Sequence, residues 1–432
     1  MLLTFSVGNF LSFKDVQTLN MEADSLKELQ SNIHIPYFYN TDLRLLKSVA
    51  IYGHNSHGKS NYLKAFQFFQ NLIFTSFTRG QQSNKINNLE PFRLNTSMSD
   101  KPSYFEISFL IKDIKYRYKL IATSSTIIKE ELLYAQSKIR ENYLFERDGQ
   151  DIKFNKQWNK DNSSRGDILT QFARPHILLL SVLLSQQGLT NISEIEIWLS
   201  NNMVVPDIYI NELAKAQAIY SDPEYTSLIL KLINDADLGF TSVFDKIDKL
   251  SKSTNQYEKG FLNVVFEKKI KDFELYTNHA VYDKDYKIVD NVEFELLKNE
   301  SSGSIKYFIV VCLLAYAIKK SQLIWIDELD ARFHPMLLDM LIGSFHNPDI
   351  NATSAQLIFT THNTQLLDHN MRRDQMVVVD KNEWGESTIR RAHTVENPIR
   401  IGKSLEKEYR KGKLGGHSKK IKNNNLGPSL FD

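Results

Sequence analysis

SVAIYGHNSHGKSNYLKAFQFFQNLIF, residues 48–74, decides the fold. It opens with a short apolar run of the kind that forms a buried strand. After the loop, Leu63, Phe66, Phe69 and Ile73 recur at helical spacing. Between strand and helix lies GHNSHGKSN (53–61). Gly53 and Gly58 let the backbone curl so that consecutive N–H groups face a phosphate. Lys59 adds a point charge at the outer phosphates, and Ser60 offers a hydroxyl to Mg²⁺. The helix that begins there turns its positive end to the anion. Gly53, Asn55, Ser56, His57, Gly58, Lys59, Ser60 and Asn61 are therefore the expected nucleotide contacts. His54 and His57 fill positions whose backbone N–H serves whatever the side chain, although a histidine at 57 would tune affinity with pH.

Three later stretches carry chemistry that fits such a loop. QLIWIDELD (322–330) is an apolar strand ending in two acids. Asp327 is the expected Mg²⁺ partner alongside Ser60, and Glu328, one residue on, is placed to orient and polarise a water. NESSGSIKYF (299–308) sets Ser301, Ser302, Gly303 and Ser304 at the start of an apolar helix, which makes either an anion site or an ordinary serine cap. LIFTTHNTQLLD (357–368) ends a strand on His362, which can hydrogen-bond a terminal phosphate. Lys59, Glu328 and His362 are the expected catalytic residues.

The remaining pattern frames these motifs. Residues 1–20 alternate around Phe5, Val7, Phe10 and Phe13, which predicts a strand pair turning near Gly8–Asn9. Residues 103–147 read as strands, 166–250 as mainly helical, 262–297 as strands again, and QMVVVDK (375–381) as a last strand. No fixed repeat or long heptad array interrupts this order.

Composition narrows the class. In 432 residues, 42% are hydrophobic and 24% charged, enough to bury a sizeable core. The single cysteine, Cys312, allows no internal disulfide. MLLTFSVGNFLSF is a poor signal peptide, and YFIVVCLLAYAI (307–318) is too short to span a bilayer, so the expectation is a cytoplasmic protein without a membrane partner. A formal net charge of +2 does not demand nucleic acid. The run YRKGKLGGHSKKIKNNN, with Arg410, Lys411, Lys413, Lys419, Lys420 and Lys422, is either a solvated tail or a phosphate-contacting one.

The order of motifs resembles the ABC-type ATPase head of SMC- and RecF-like proteins. ESSGS (300–304) corresponds to the signature loop, LDARFHP (329–335) to the D-loop region and His362 to the switch histidine. Glu300 stands where leucine is usual, and Ser304 where Gln or Glu is usual. With NFLSFKD (9–15), RRDQMVVVDK (372–381) and SLEKEYRKGKLGG (404–416), the chain looks like bacterial AAA-family ATPases of the RloA and AbiL anti-phage type, relatives of the ATPase halves of OLD nucleases. The resemblance is weak across roughly residues 135–290.

It implies an α/β fold, an ABC-type P-loop ATPase head with a mixed sheet core, carrying a helical insertion. The expected segments are an N-terminal lobe over 1–135, a mainly helical insertion with flanking strands over 136–290, a C-terminal lobe over 291–400 and a basic tail over 401–432. ATP and Mg²⁺ are the implied cofactors. Ser301, Ser302, Gly303 and Asp330 would reach the nucleotide of a second copy in a head-to-tail ATP-sandwich homodimer or higher oligomer. Adenine would contact Asn9–Phe13. The implied function is the sensor and switch of an abortive-infection system. A phage protein stands as trigger, and DNA or RNA as a further candidate partner. The chain runs about fifty residues past the last core strand, short of a ~100-residue nuclease domain. The effector is thus expected to be a separate Toprim-like, RloB-type nuclease. A RecF- or SMC-like DNA-repair ATPase is the second reading.

Overall fold

A computed structural model describes residues 1–38, 42–136, 140–208, 210–240, 242–245, 275–331, 333–368, 370–394 and 404–415. The strand signal over 262–274, Arg332 in the D-loop stretch, and Lys419, Lys420 and Lys422 of the basic run lie outside these. The chain is a mixed α/β fold in two units, one of residues 1–199 and 358–432, the other of residues 200–357.

The first unit begins with β1 (Leu2–Gly8) and β2 (Gln17–Asn20), then the short pair β3 (Ile33–His34) and β4 (Leu45–Leu46). β5 (Ser48–Tyr52) follows and feeds α1 (Lys59–Gly80). Next come β6 (Ser103–Ile111), β7 (Ile114–Ala122), β8 (Ile127–Ala135), β9 (Asn142–Asp148) and β10 (Asp151–Phe154). These join β1 and β2 in a seven-stranded sheet of order β10-β9-β8-β7-β6-β1-β2. Alternation explains the sheet: Phe105, Ile107 and Phe109 of β6 are buried opposite Leu120, Tyr118 and Tyr116 of β7. Asp148 and Gly149 make the β9–β10 turn, with Gly149 at φ 56°.

The apolar face of α1 packs on this sheet. Phe66 meets Phe5 edge-on at 5.2 Å, and Phe69 stacks on Phe105 at 5.2 Å and on Tyr118 at 5.6 Å. Burying each such ring contributes about 1.5–3 kcal/mol. The helix that carries the loop is thereby fixed before any ligand is considered.

Short helices α2 (Lys156–Asp161), α3 (Arg165–Leu169) and α4 (Leu179–Leu184) follow. No flanking side chain caps α4. Glu130 of β8 does so instead, its fully buried carboxylate accepting from Leu179 N and Leu180 N, both at 2.8 Å. It also accepts from the Tyr118 hydroxyl at 2.9 Å and faces Arg147, whose guanidinium donates to Ile177 O and Arg174 O. Ser76 and Ser181 then stitch α4 to α1 by accepting from Leu178 N and Phe77 N, each at 2.9 Å.

The second unit takes over within α5 (Ile192–Asn201) and continues through β11 (Met203–Val205), α6 (Ile210–Tyr220), α7 (Pro223–Asp235) and β12 (Ser242–Asp245). β13 (Leu275–Tyr282) pairs with β12 on one side and β14 (Ile288–Glu295) on the other. After α8 (Leu296–Asn299) come α9 (Ser302–Lys319), β15 (Leu323–Ile326) and α10 (Pro335–His346). α9 is long and apolar enough by composition to cross a membrane, yet every residue from Tyr307 to Ile318 is buried, and the Tyr307 hydroxyl donates to Leu232 O of α7. β16 (Gln356–Thr360) leads back into the first unit, which ends with the antiparallel pair β17 (Met376–Lys381) and β18 (Ser387–Arg391) and then α11 (Leu405–Arg410).

Replacing Arg147 with methionine strands the buried Glu130 carboxylate beside an apolar group. The expected cost is about 3–5 kcal/mol, read as a large fall in the urea midpoint. A midpoint within experimental error of the wild type would show that Glu130 is satisfied by its other three donors.

Candidate nucleotide-binding site

β5 is buried throughout and pairs parallel with β17, Ala50 opposite Met376 and Tyr52 opposite Val378. Its exit is tightly confined. Gly53 sits at φ 154°, and a β-carbon there would lie 2.6 Å from the Val379 carbonyl oxygen. Gly58, at φ 112°, has no room either: a β-carbon would meet Ser387 Oγ at 2.5 Å and Ser12 Oγ at 2.8 Å. Between the two glycines the loop is held by its own carbonyls. Ser387 Oγ donates to His57 O at 2.6 Å, and Lys381 Nζ to Ser56 O at 2.9 Å. Lys59 Nζ donates to Gly53 O at 2.7 Å and to His54 O at 3.3 Å, so the ammonium lies against the loop. No side chain caps α1. An uncapped helix start behind a glycine loop is an anion site, and the two glycines that admit no β-carbon form the cradle that polyphosphate requires.

Asn55 and Ser56 are exposed, whereas His57 is buried. The His57 ring is hydrogen-bonded to the Val379 backbone, and its buried Nδ1 has no partner. Burial holds the imidazole below the ordinary histidine range, helped by the charges of His54 and Lys59, while the Val379 bond and Asp380 oppose. A ring so placed stays neutral near neutral pH, so any tuning of affinity at 57 would fall at lower pH.

The turn at residues 9–13 forms the other flank. Asn61 Nδ2 donates to Ser12 Oγ at 2.9 Å, and Ser387 N to Ser12 O at 2.7 Å. Leu11, Ser12, Asn61, Glu90, Arg93 and Lys381 line a cleft of about 200 Å³ there. A larger cleft of about 360 Å³ runs along α1 and is lined by Asn61 but by none of residues 53–60.

His362 is exposed on the segment after β16. Thr361 N donates to Ile51 O at 3.2 Å, and the Tyr52 hydroxyl to Asn363 O at 3.3 Å, which sets His362 beside the end of β5. Thr364 donates to Glu406 of α11 at 3.0 Å. Arg410, Lys411 and Lys413 of the basic run pair with Glu406 and Glu408, at 2.7, 3.3 and 2.7 Å. That part of the run is therefore folded and internally matched.

The second unit carries the acids. β15 pairs parallel with β11, and Asp327 N donates to Val205 O at 3.0 Å. Asp327 and Asp330 are half-buried. Glu328 is exposed at φ 46°, a left-handed conformation that costs a glutamate about 1–3 kcal/mol. Ser301 Oγ accepts from Ser304 N at 3.0 Å and caps α9, leaving Ser301 and Ser302 exposed and Gly303 half-buried. Lys306, one turn into α9, donates to Glu328 O at 3.2 Å and to Ala331 O at 2.8 Å. It thus ties the serine-glycine helix start to the acidic turn. Lys306, Lys381 and Ser387 had no role assigned from the sequence, since each acts on the backbone carbonyl of a residue distant in the chain.

Among the described residues no three His, Cys, Asp or Glu side chains group as a metal site. Ser60 of the first unit offers a hydroxyl and Asp327 of the second a carboxylate, each by itself a donor type that Mg²⁺ takes beside waters and phosphates.

The family model described as "AAA domain, putative AbiEii toxin, Type IV TA system" matches residues 48–368. No curated protein matches the chain. Among solved structures, the SMC head domain from Thermotoga maritima is similar, with 14% identity over 93% of this chain and 99% of that one, at a TM-score of 0.39.

The folded chain binds a proton at His57 less readily than the unfolded chain does. This contribution to stability is complete above the ordinary value of 6.5 and is lost as pH falls below it. In melts between about pH 7.5 and about pH 5, the melting-temperature difference between wild type and His57→Ser should therefore move in favour of the variant as pH falls. A constant difference would place the ring outside the buried seat.

Proposed function

We propose that this chain, which belongs to the AAA-domain family described as putative AbiEii toxin of type IV toxin–antitoxin systems, binds and hydrolyses ATP in the cytoplasm. It would do so as the switch subunit of a bacterial anti-phage system and act on a separate effector, a Toprim-like nuclease being the first candidate. The observation that carries the nucleotide reading is the seat of residues 53–60: two glycines that admit no β-carbon, carbonyls held from behind, and an uncapped helix start. The family's description, with its toxin–antitoxin context, supports the defence setting.

In this reading the amides of residues 55–61 hold the phosphates, and Lys59 exchanges its two loop carbonyls for phosphate oxygens. Ser60 and Asp327 hold Mg²⁺, which when bound offsets phosphate charge. Glu328, exposed at the end of its strained turn, orients the attacking water. His362, on a segment pinned to β5, donates to the terminal phosphate. Ser301, Ser302, Gly303 and Asp330 serve the nucleotide of a second copy, so that ATP joins two protomers and hydrolysis releases them. The DNA-repair reading leans on the basic run, and three of its cations already face carboxylates of the same segment.

Glu328→Gln should keep ATP binding, lower kcat by about 10²- to 10⁴-fold and accumulate one ATP-dependent oligomer in size-exclusion chromatography. Lys59→Ala should lose binding. Undiminished hydrolysis in Glu328→Gln would remove Glu328 from the mechanism.

A further inference from the structure

Glu300 stands directly before the Ser301 cap, at the position where the resemblance calls for leucine. Its carboxylate is 8% exposed. One oxygen, Oε1, accepts from Thr277 Oγ1 at 2.5 Å and from His279 Nε2 at 2.6 Å. An ionised carboxylate only accepts, so Nε2 carries the hydrogen. Thr277 and His279 lie two residues apart on β13 and so share one face of the hairpin. Thr277 is fully buried, and the His279 ring is set against Phe294 at 4.6 Å and Phe240 at 6.1 Å.

The backbone route to Glu300 is also braced. β14 passes into the single turn of α8, where Asn299 Oδ1 accepts from Glu295 N at 3.0 Å and Leu296 O from Glu300 N at 3.3 Å. Beyond Glu300, Ser301 and Ser302 are exposed. Their register is set by the Ser301–Ser304 cap on one side and the Glu300 carboxylate on the other.

A leucine in this apolar corner would pack without a preferred direction. A buried carboxylate is costly unless its donors are aimed at it, and two short charge-assisted bonds fix both the distance and the angle. We propose that Glu300 is a positioning residue for the serine-glycine loop, latching residues 301–304 to Thr277 and His279 of β13 and so setting how that loop meets the nucleotide of a second copy. The proposal rests on the ATPase reading above and adds a device to it: a shift of the β13–β14 hairpin becomes a shift of the loop, so turnover is coupled to whatever moves the hairpin.

The test uses the full chain and compares wild type with His279→Ala, His279→Gln and Glu300→Leu. Three quantities are read: kcat, the affinity for a fluorescent ATP analogue, and melting temperature. His279→Ala and Glu300→Leu should lose about 10- to 100-fold in kcat, the scale of a catalytic group displaced by about an ångström. Affinity for the analogue should stay within about twofold, because the phosphate loop is untouched. His279→Gln, whose amide N–H can reach Oε1, should recover most of the rate at an unchanged melting temperature. Wild-type kcat in Glu300→Leu and His279→Ala overturns the latch and leaves the ATPase reading standing. So does a loss of kcat matched by equal losses of affinity and melting temperature, which is a folding effect. A wild-type chain that binds the analogue without hydrolysing ATP overturns the ATPase reading itself.

Discussion

The approach of the Val379 carbonyl to Gly53 is the constraint around which the first unit is arranged. At 2.6 Å from where a β-carbon would be, it leaves one residue type for that position and forces the chain to curl. β17 must run parallel to β5 to place that carbonyl. The hairpin into β18 must then return to bring Ser387 under His57 O and Gly58. The 9–13 turn completes the seat through Ser12, which both accepts from Asn61 and receives the Ser387 amide. What would otherwise be a floppy glycine loop is a backbone path held at Ser56, His57 and both glycines. Preorganisation of this kind lets amide dipoles act on an anion without first paying to order them.

The parts visible in the sequence are those with a period or a local spacing. β5, the loop and α1 declare themselves by an apolar run, two glycines and a helical stripe. Phe5, Val7, Phe10 and Phe13 mark the first strand and its turn, and all four are buried. The strands over 103–147 follow from alternation. What stays hidden is whatever acts across the chain on another residue's backbone. Ser387 lies 330 positions from its acceptor His57, and Lys381 lies 325 from Ser56. A serine or lysine bonded to a carbonyl leaves no pattern, because the carbonyl has no residue identity. Glu300 shows the reverse case. It was visible only as a departure from leucine, and its reason appears once β13 is seen to supply two donors.

In the second unit the same economy recurs with other groups. Lys306 reaches from α9 to the carbonyls of Glu328 and Ala331, and its ammonium lies 5.1 Å from the centre of the Phe333 ring. This cation steadies a turn that holds Glu328 in a left-handed conformation. Strain persists only where neighbours over-determine it, and here a lysine bond on each side of the turn does so.

The last described segment bears on His362. Thr361 is bonded to Ile51 on one side, and Thr364 to Glu406 on the other. α11 is itself anchored by Asp368, which accepts from Ser404 Oγ at 2.5 Å and from Leu405 N at 2.7 Å, and by Tyr409, whose ring meets Tyr52 at 5.7 Å. Tyr52 immediately precedes Gly53, so the helix that pins the histidine segment also packs on the residue that opens the loop.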